Sequence, residues 1–323
     1  METEKNNSRL SMAWKTLYSD YSVILVTLVV IILAAVLEGE YFFTVQNFLN
    51  IIRNNAVVGI IALGMAFVII SGEIDLSVGS QLVAVGAVTL YVINSTGNIV
   101  LGIVAALAMG IVTSMITGII VAYGKVPSFI VTLGMMNIYR SICMYAMKGG
   151  GFYGEAEAYA KIANGELAGG IPLPIIYLFI MLLVCWYISR HTKMGRHIYA
   201  AGSNQKATRL SGINVNFVKI KAFAMLGLTV AVAAIIETSR MNSINASSSG
   251  TSYELNAIAM AVIGGISMSG GKGSIINTFF GMLILGTINN ILTLMGVDVY
   301  LVAAIKGAII ILSVLLQKKE NER

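Results

Sequence analysis

Ten apolar runs, separated by short polar segments, constrain this chain more than any other feature. They lie near residues 22–37, 51–70, 77–93, 99–122, 128–147, 173–190, 217–236, 255–267, 275–294 and 300–316. A helix of about 20 mostly apolar residues crosses a bilayer, where every backbone amide and carbonyl has to be satisfied within the segment. The eighth run, 255–267, falls furthest short of that length. Composition agrees, because 57% of the 323 residues are hydrophobic and only 11% are charged, too few to cover a water-facing surface when a soluble domain carries about 25%. The expected architecture is an all-α integral membrane protein, a polytopic bundle of about ten transmembrane helices forming one domain over residues 1–323.

The net charge of +6 does not point to nucleic acid, since the Lys and Arg residues sit between apolar runs and are not interleaved with aromatic residues on a polar face. Their placement sets orientation instead. With the N-terminus inside, Lys5, Arg9, Lys15, Lys125, Arg190, Lys193, Arg196, Lys206, Arg209, Lys219, Lys221, Lys272, Lys318, Lys319 and Arg323 lie in or beside the cytoplasm, and only Lys148, Lys161 and Arg240 remain outside. Short cytoplasmic loops carry such an excess, so both termini are expected in the cytoplasm, with 1–21 an N-terminal cytoplasmic segment and 190–216 the longest inner loop. The basic residues before the first run resemble a signal peptide in outline, but no small-x-small cleavage site follows, and the first helix is expected to be retained. Pro127, Pro172 and Pro174 fall at span ends, where a helix start tolerates them. Cys143 and Cys185 lie inside apolar runs as small buried hydrophobes, and no disulfide or metal framework follows. His191 and His197 sit in the basic loop, and no His or carboxylate cluster has ligand spacing, which argues against a membrane enzyme.

Three polar segments carry the chemistry. The first, 71–80, places Glu73 and Asp75 between strongly apolar runs, where carboxylates are costly unless they reach water, hydrogen-bond donors or a cation. A bend at Gly72 lets Asp75 cap the following helix, so Gly72, Glu73, Asp75, Ser77 and Gly79 form a candidate broken-helix joint; an ordinary cytoplasmic turn, or an Asp75 that carries protons, is the alternative. The second joint, 264–274, repeats the order of apolar helix, Gly and Ser joint, and apolar helix, with Gly270, Gly271, Lys272 and Gly273 at its centre. Its lysine does not make a phosphate loop, which needs G-x-x-x-x-G-K-[ST]; Lys272 is followed by Gly273 and Gly271 is preceded five residues earlier by Ile266. The third, 202–214, reads as a two-turn cytoplasmic helix capped by Ser203 or Asn204, with Ala207 and Leu210 on one face and Gly212 closing it, or else as a solvated charged loop.

At these residues the chain resembles the sugar ABC permeases. Gly-Glu-Ile-Asp-Leu-Ser-Val-Gly-Ser at 72–80, Arg-Leu-Ser-Gly-Ile-Asn-Val at 209–215, Tyr253-Glu254-Leu255 and Gly-Gly-Lys-Gly at 270–273 are similar to that family's signatures, over 43–315. The resemblance implies a bacterial inner-membrane subunit working as a homodimer or a pair, a cytoplasmic tandem-domain ATPase that holds ATP and Mg, and an extracytoplasmic sugar-binding protein, with no cofactor in this chain. It also implies that Gly202, Asn204, Gln205, Ala207, Arg209, Leu210 and Gly212 belong to the helix that docks on the ATPase; Gln205 stands where the family carries a Glu. Transport by alternating access follows, with an ion-gradient-driven transporter using Asp75 as the rival. Pore candidates are Asn55, Asn137, Arg140, Asn289 and Asn290, as solute contacts or as helix–helix hydrogen bonds. Arg240 and Lys148 are the cations available to receive the binding protein outside.

Overall fold

The computed structural model describes residues 23–36, 39, 42–167, 169–298, 300–309 and 311. In chain order the first elements are α1 (Val23–Val36), α2 (Val45–Ile70), α3 (Val78–Thr96), α4 (Ile99–Gly124), α5 (Ser128–Ala146), β1 (Gly151–Tyr153), α6 (Glu157–Asn164), β2 (Glu166–Leu167) and β3 (Ile171–Pro172). They are followed by α7 (Leu173–His191), α8 (Lys193–Ser203), α9 (Gln205–Leu210), α10 (Val215–Met241), β4 (Ser243–Asn245), α11 (Tyr253–Ile263), α12 (Ile275–Leu294) and α13 (Tyr300–Ile309).

The protein is an all-α membrane bundle. Among the described residues seven helices, α2, α3, α4, α5, α7, α10 and α12, are long and apolar enough to cross a bilayer, and three shorter apolar helices, α1, α11 and α13, occupy the other expected runs. The sequence expectation at 255–267 is corrected: α11 has 11 residues, about 16 Å at 1.5 Å per residue. It starts at Tyr253, two residues ahead of the expected run, and stops at Gly264, before that run ends. The expected cytoplasmic termini, 1–21 and the residues after 311, lie outside the described residues.

Two helices form the centre, α2 and α10, each with 78% of its most apolar stretch buried. They are held by small residues, which let backbones approach where no hydrophobic effect drives helices together. Where α4 crosses α10, a Cβ on Gly227 would lie 2.2 Å from the Gly110 carbonyl oxygen. Cys143 and Cys185 are both free and buried.

Residues 148–172 contain β1, α6 and the β2–β3 pair, a layer that borrows the core of the bundle. Tyr159 of α6 is fully buried, its hydroxyl 2.6 Å from that of Thr238 and donating to the Ile235 carbonyl at 3.1 Å on α10. β1 pairs antiparallel with β4, Phe152 opposite Ile244. The 190–216 segment likewise holds two helices, α8 and α9, where one was expected. Ahead of α13, Asp298 Oδ1 accepts from the Tyr300 amide at 2.8 Å.

Candidate functional site

The chain leaves α2 at Ser71, whose amide donates to the Phe67 carbonyl at 3.0 Å. Gly72 then takes φ +87°, a conformation that only glycine adopts without strain. Through 71–77 the backbone is not helical, and side chains secure it. Glu73 pairs with Lys219 in the second turn of α10, Oε1 to Nζ 2.5 Å, with side chains only 11% and 12% exposed. The Ile74 amide donates to Ser128 Oγ at the start of α5, 3.1 Å. Asp75 is fully buried; its Oδ1 accepts the Ser77 amide at 2.7 Å and the Ser77 hydroxyl at 2.6 Å, and its Oδ2 has no hydrogen-bond partner among the described residues.

The expected cap is therefore displaced. The N-cap residue of α3 is Ser77, whose own side chain caps nothing. Asp75 closes an Asx turn onto Ser77, two residues on, and so binds the residue that starts the helix instead of the free amides of its first turn.

Because the joint climbs before α3 begins, α3 starts inside the bundle. Gln81 Nε2 donates to the Gly110 carbonyl at 3.0 Å, with Thr113 Oγ1 and Ser114 Oγ at 2.7 and 2.8 Å. Gly110 lies near the middle of the 26-residue α4, about 16 Å from that helix's start.

A second non-helical segment comes from the opposite end. After α10 the chain pairs β4 with β1, the Gly154 amide donates to the Asn242 carbonyl at 2.8 Å, and residues 246–252 then descend beside α3. Ile244 packs at Gly86, and at Gly79 a Cβ would come within 2.1 Å of the Gly250 carbonyl oxygen. The two breaks meet at Gly79 and Gly250, in the middle of the bundle. Arg140 of α5 holds the upper one, its Nη1 donating to the carbonyls of Ala246 at 2.7 Å and Ser249 at 2.9 Å. Within it Asn245 Oδ1 accepts the amides of Ser247 and Ser248 at 2.9 and 3.1 Å, and Ser252 takes φ +63°.

Sequence reasoning passed over 242–252. The available signal was its run of Asn, Ser and Thr, side chains that bond to nearby backbone groups in competition with a helix.

The three segments that the sequence did single out converge at the other end of α2. The Gly271 amide donates to the Ile70 carbonyl at 2.8 Å. Gly202, at the end of α8, leaves no room for a side chain, since a Cβ there would lie 1.8 Å from the Ile70 oxygen and 2.6 Å from the Gly271 nitrogen. Gly270 abuts Gly72, and Tyr199 Oη donates to the Gly273 carbonyl at 2.9 Å. Lys272 points out and is exposed. This backbone clasp ties both joints to α8 and, directly after it, to α9.

α9 has six residues, with Asn204 as N-cap accepting from the Ala207 amide at 3.0 Å. Thr208 is its one buried residue, while Ala207 and Arg209 are exposed and Leu210 is 91% exposed. Gln205 is half-buried, and Gly212 ends the segment at φ +78°. Cavities of about 240 and 450 Å³ flank it, one lined by His197, Phe217 and Lys221 and the other by Tyr123, Lys125 and Arg209.

The five pore candidates are not brought together. Asn290 of α12 exchanges hydrogen bonds with Asn47 of α2 at 2.8 and 3.1 Å, Asn289 sits beside it half-buried, and Asn55 Nδ2 donates within α2 to Ile51 at 2.8 Å. Arg140 and Asn137 lie on α5 instead; Asn137 is exposed and donates to the Leu133 carbonyl at 3.1 Å. At the other end of α10, Arg240 is half-buried and donates to Asn54 Oδ1 at 2.8 Å, whereas Lys148 is exposed.

Residues 47–314 match a family profile described as the permease component of a branched-chain amino acid transport system. This chain belongs to that permease family. The permease is 42% identical to the ribose import permease protein RbsC of Escherichia coli K12, over 92% of its own length and 93% of the relative's. It is 39% identical to RbsC of Bacillus subtilis, with 91% of each chain covered, and 32% identical to the xylose transport system permease protein XylH of Escherichia coli K12, covering 91% and 93%. No solved structure matches it. Like these proteins it is a permease and not an enzyme, an integral protein of the cell membrane. Its two breaks suit that task, because non-helical backbone at membrane depth persists only where protein or a water-filled path covers it, and discontinuous helices frame the solute site in many transporters.

Proposed function

We propose that this permease moves a simple sugar, a ribose-like pentose or a hexose, through an ATP-driven ABC importer by alternating access. The relatives that carry ribose and xylose and align along nearly the whole chain support this reading. The family profile's description names branched-chain amino acids, whereas the relatives that align along nearly the whole chain are named for ribose and xylose. A hydroxyl-rich break suits a neutral polyol.

The transport unit contains two permease copies. α5 supports this: it is the least apolar of the seven long helices, only 17% of its most apolar stretch is buried, and its exposed surface includes Ser141. A cytoplasmic tandem-domain ATPase carries ATP and Mg and docks on α9, where Leu210 and Arg209 offer an apolar knob beside a cation. A sugar-binding protein docks outside on Lys148 and Arg240. The bundle has about ten spans with both termini in the cytoplasm, consistent with the inside excess of Lys and Arg.

Reconstituted vesicles test this reading. Uptake of D-ribose or D-xylose is expected to need internal ATP, the partner ATPase and the binding protein; uptake by the lone chain that a protonophore abolishes would establish the ion-driven rival. Within the working complex, Ala207→Pro removes the amide that donates to the Asn204 cap, a loss of about 1 kcal/mol in a helix of only six residues. The expected outcome is normal membrane insertion and binding-protein docking with ATP hydrolysis uncoupled from uptake, and full transport by that variant would place the lever elsewhere, first at 270–274.

A further inference from the structure

Residues 246–252 present an unusual surface. Ser247, Ser248, Thr251 and Ser252 are all exposed, yet they lie beside Gly250, which meets α3 at Gly79 in the middle of the bundle. The segment is not helical, and the hydroxyls of Ser248 and Ser252 form no hydrogen bond among the described residues. Asn137 is exposed on α5 one turn below Arg140, on the same side of that helix. Hydrocarbon offers none of these groups a partner. The lipid face of the bundle looks different: the exposed positions of α4 include Val104, Val112, Ile116 and Ile120.

We propose that residues 247–252, together with Asn137 and Arg140, form the wall of the solute pathway on which a polyhydroxylated solute exchanges hydrogen bonds; this rests on the sugar-import reading above. A serine or threonine hydroxyl both donates and accepts, and an amide offers both in fixed positions, so such a wall matches sugar hydroxyls in several orientations. Arg140 supplies the rigidity. With its guanidinium on the Ala246 and Ser249 carbonyls, it fixes the loop, and the Glu254 carboxylate, which lies against Gly79, is near enough to offset its charge. A neutral solute loses little by leaving such a surface, because every contact it breaks is replaced by water or by the next hydroxyl along.

The test uses the reconstituted complex of permease, ATPase and binding protein. Single thiols at Ser248→Cys and Ser252→Cys are compared with Val112→Cys on α4, using the anionic thiol reagent MTSES; the native cysteines are buried. The first two are expected to react at least tenfold faster than Val112→Cys, and reaction is expected to stop uptake while ATP hydrolysis stimulated by the binding protein continues. Whichever of D-ribose, D-xylose and D-galactose the unmodified vesicles accumulate should slow the reaction. Two results overturn the proposal: reactivity at 248 and 252 no greater than at 112 in vesicles that transport normally, or complete modification with unchanged uptake. A complex that accumulates no sugar on ATP would condemn the sugar reading instead, and the relative thiol reactivities would still decide whether the wall is wet.

Discussion

The two breaks that meet at Gly79 and Gly250 are built on opposite principles. Residues 71–77 carry charge and are sealed: Glu73 is paired to Lys219, and Asp75 is fully buried on Ser77. Residues 246–252 carry no charge and are open, with four hydroxyl side chains exposed. Buried charge enforces one geometry, because removing one partner leaves the other uncompensated, whereas exposed hydroxyls tolerate exchange with water. The lower break thus acts as a structural anchor linking α2, α5 and α10, and the upper one as the surface that a solute meets.

The sharpest way to break this comparison is at Lys219. Lys219→Met leaves the Glu73 carboxylate nearly buried without its cation and is expected to cost about 3 to 5 kcal/mol, read as a lower melting temperature of the purified permease in detergent. Adding Glu73→Gln should restore most of that loss. A single variant as stable as the parent would show that the pair is dispensable and the lower break no anchor.

Asp75 gives an intermediate effect. Asp75→Leu leaves the Ser77 amide and hydroxyl, both buried, without their acceptor and should lower stability by about 1 to 3 kcal/mol, whereas Asp75→Asn keeps an acceptor oxygen and should retain both folded yield and ATP-driven uptake. An Asn variant that folds well but does not transport would give Asp75 a charge or proton role and unite the two breaks functionally.

Smallest of all should be the effect of Ser248→Ala on folding. An exposed side chain without intramolecular partners changes stability by less than about 0.5 kcal/mol, so the thermal unfolding curve should overlay that of the parent. A large loss there would make the upper break structural too.

Ten apolar runs, the side on which basic residues gather and the three Gly- and Ser-rich segments were all legible in the sequence, because bilayer thickness and backbone hydrogen bonding act on each segment separately. Local chemistry also narrowed the α9 cap to Ser203 or Asn204, of which the structure uses Asn204, and located the bend at Gly72. What the chain's order could not reveal was which segments touch. The Glu73–Lys219 pair joins residues 146 positions apart (219 − 73), the clasp bonds Gly271 to Ile70 and packs the Gly202 backbone against both, and the 242–252 segment turns inward because Gly79 and Gly86 leave it room along α3. Apolar periodicity records how a segment meets its solvent; only packing decides where small residues let two backbones close, and those contacts set the depth at which α3 and α11 begin.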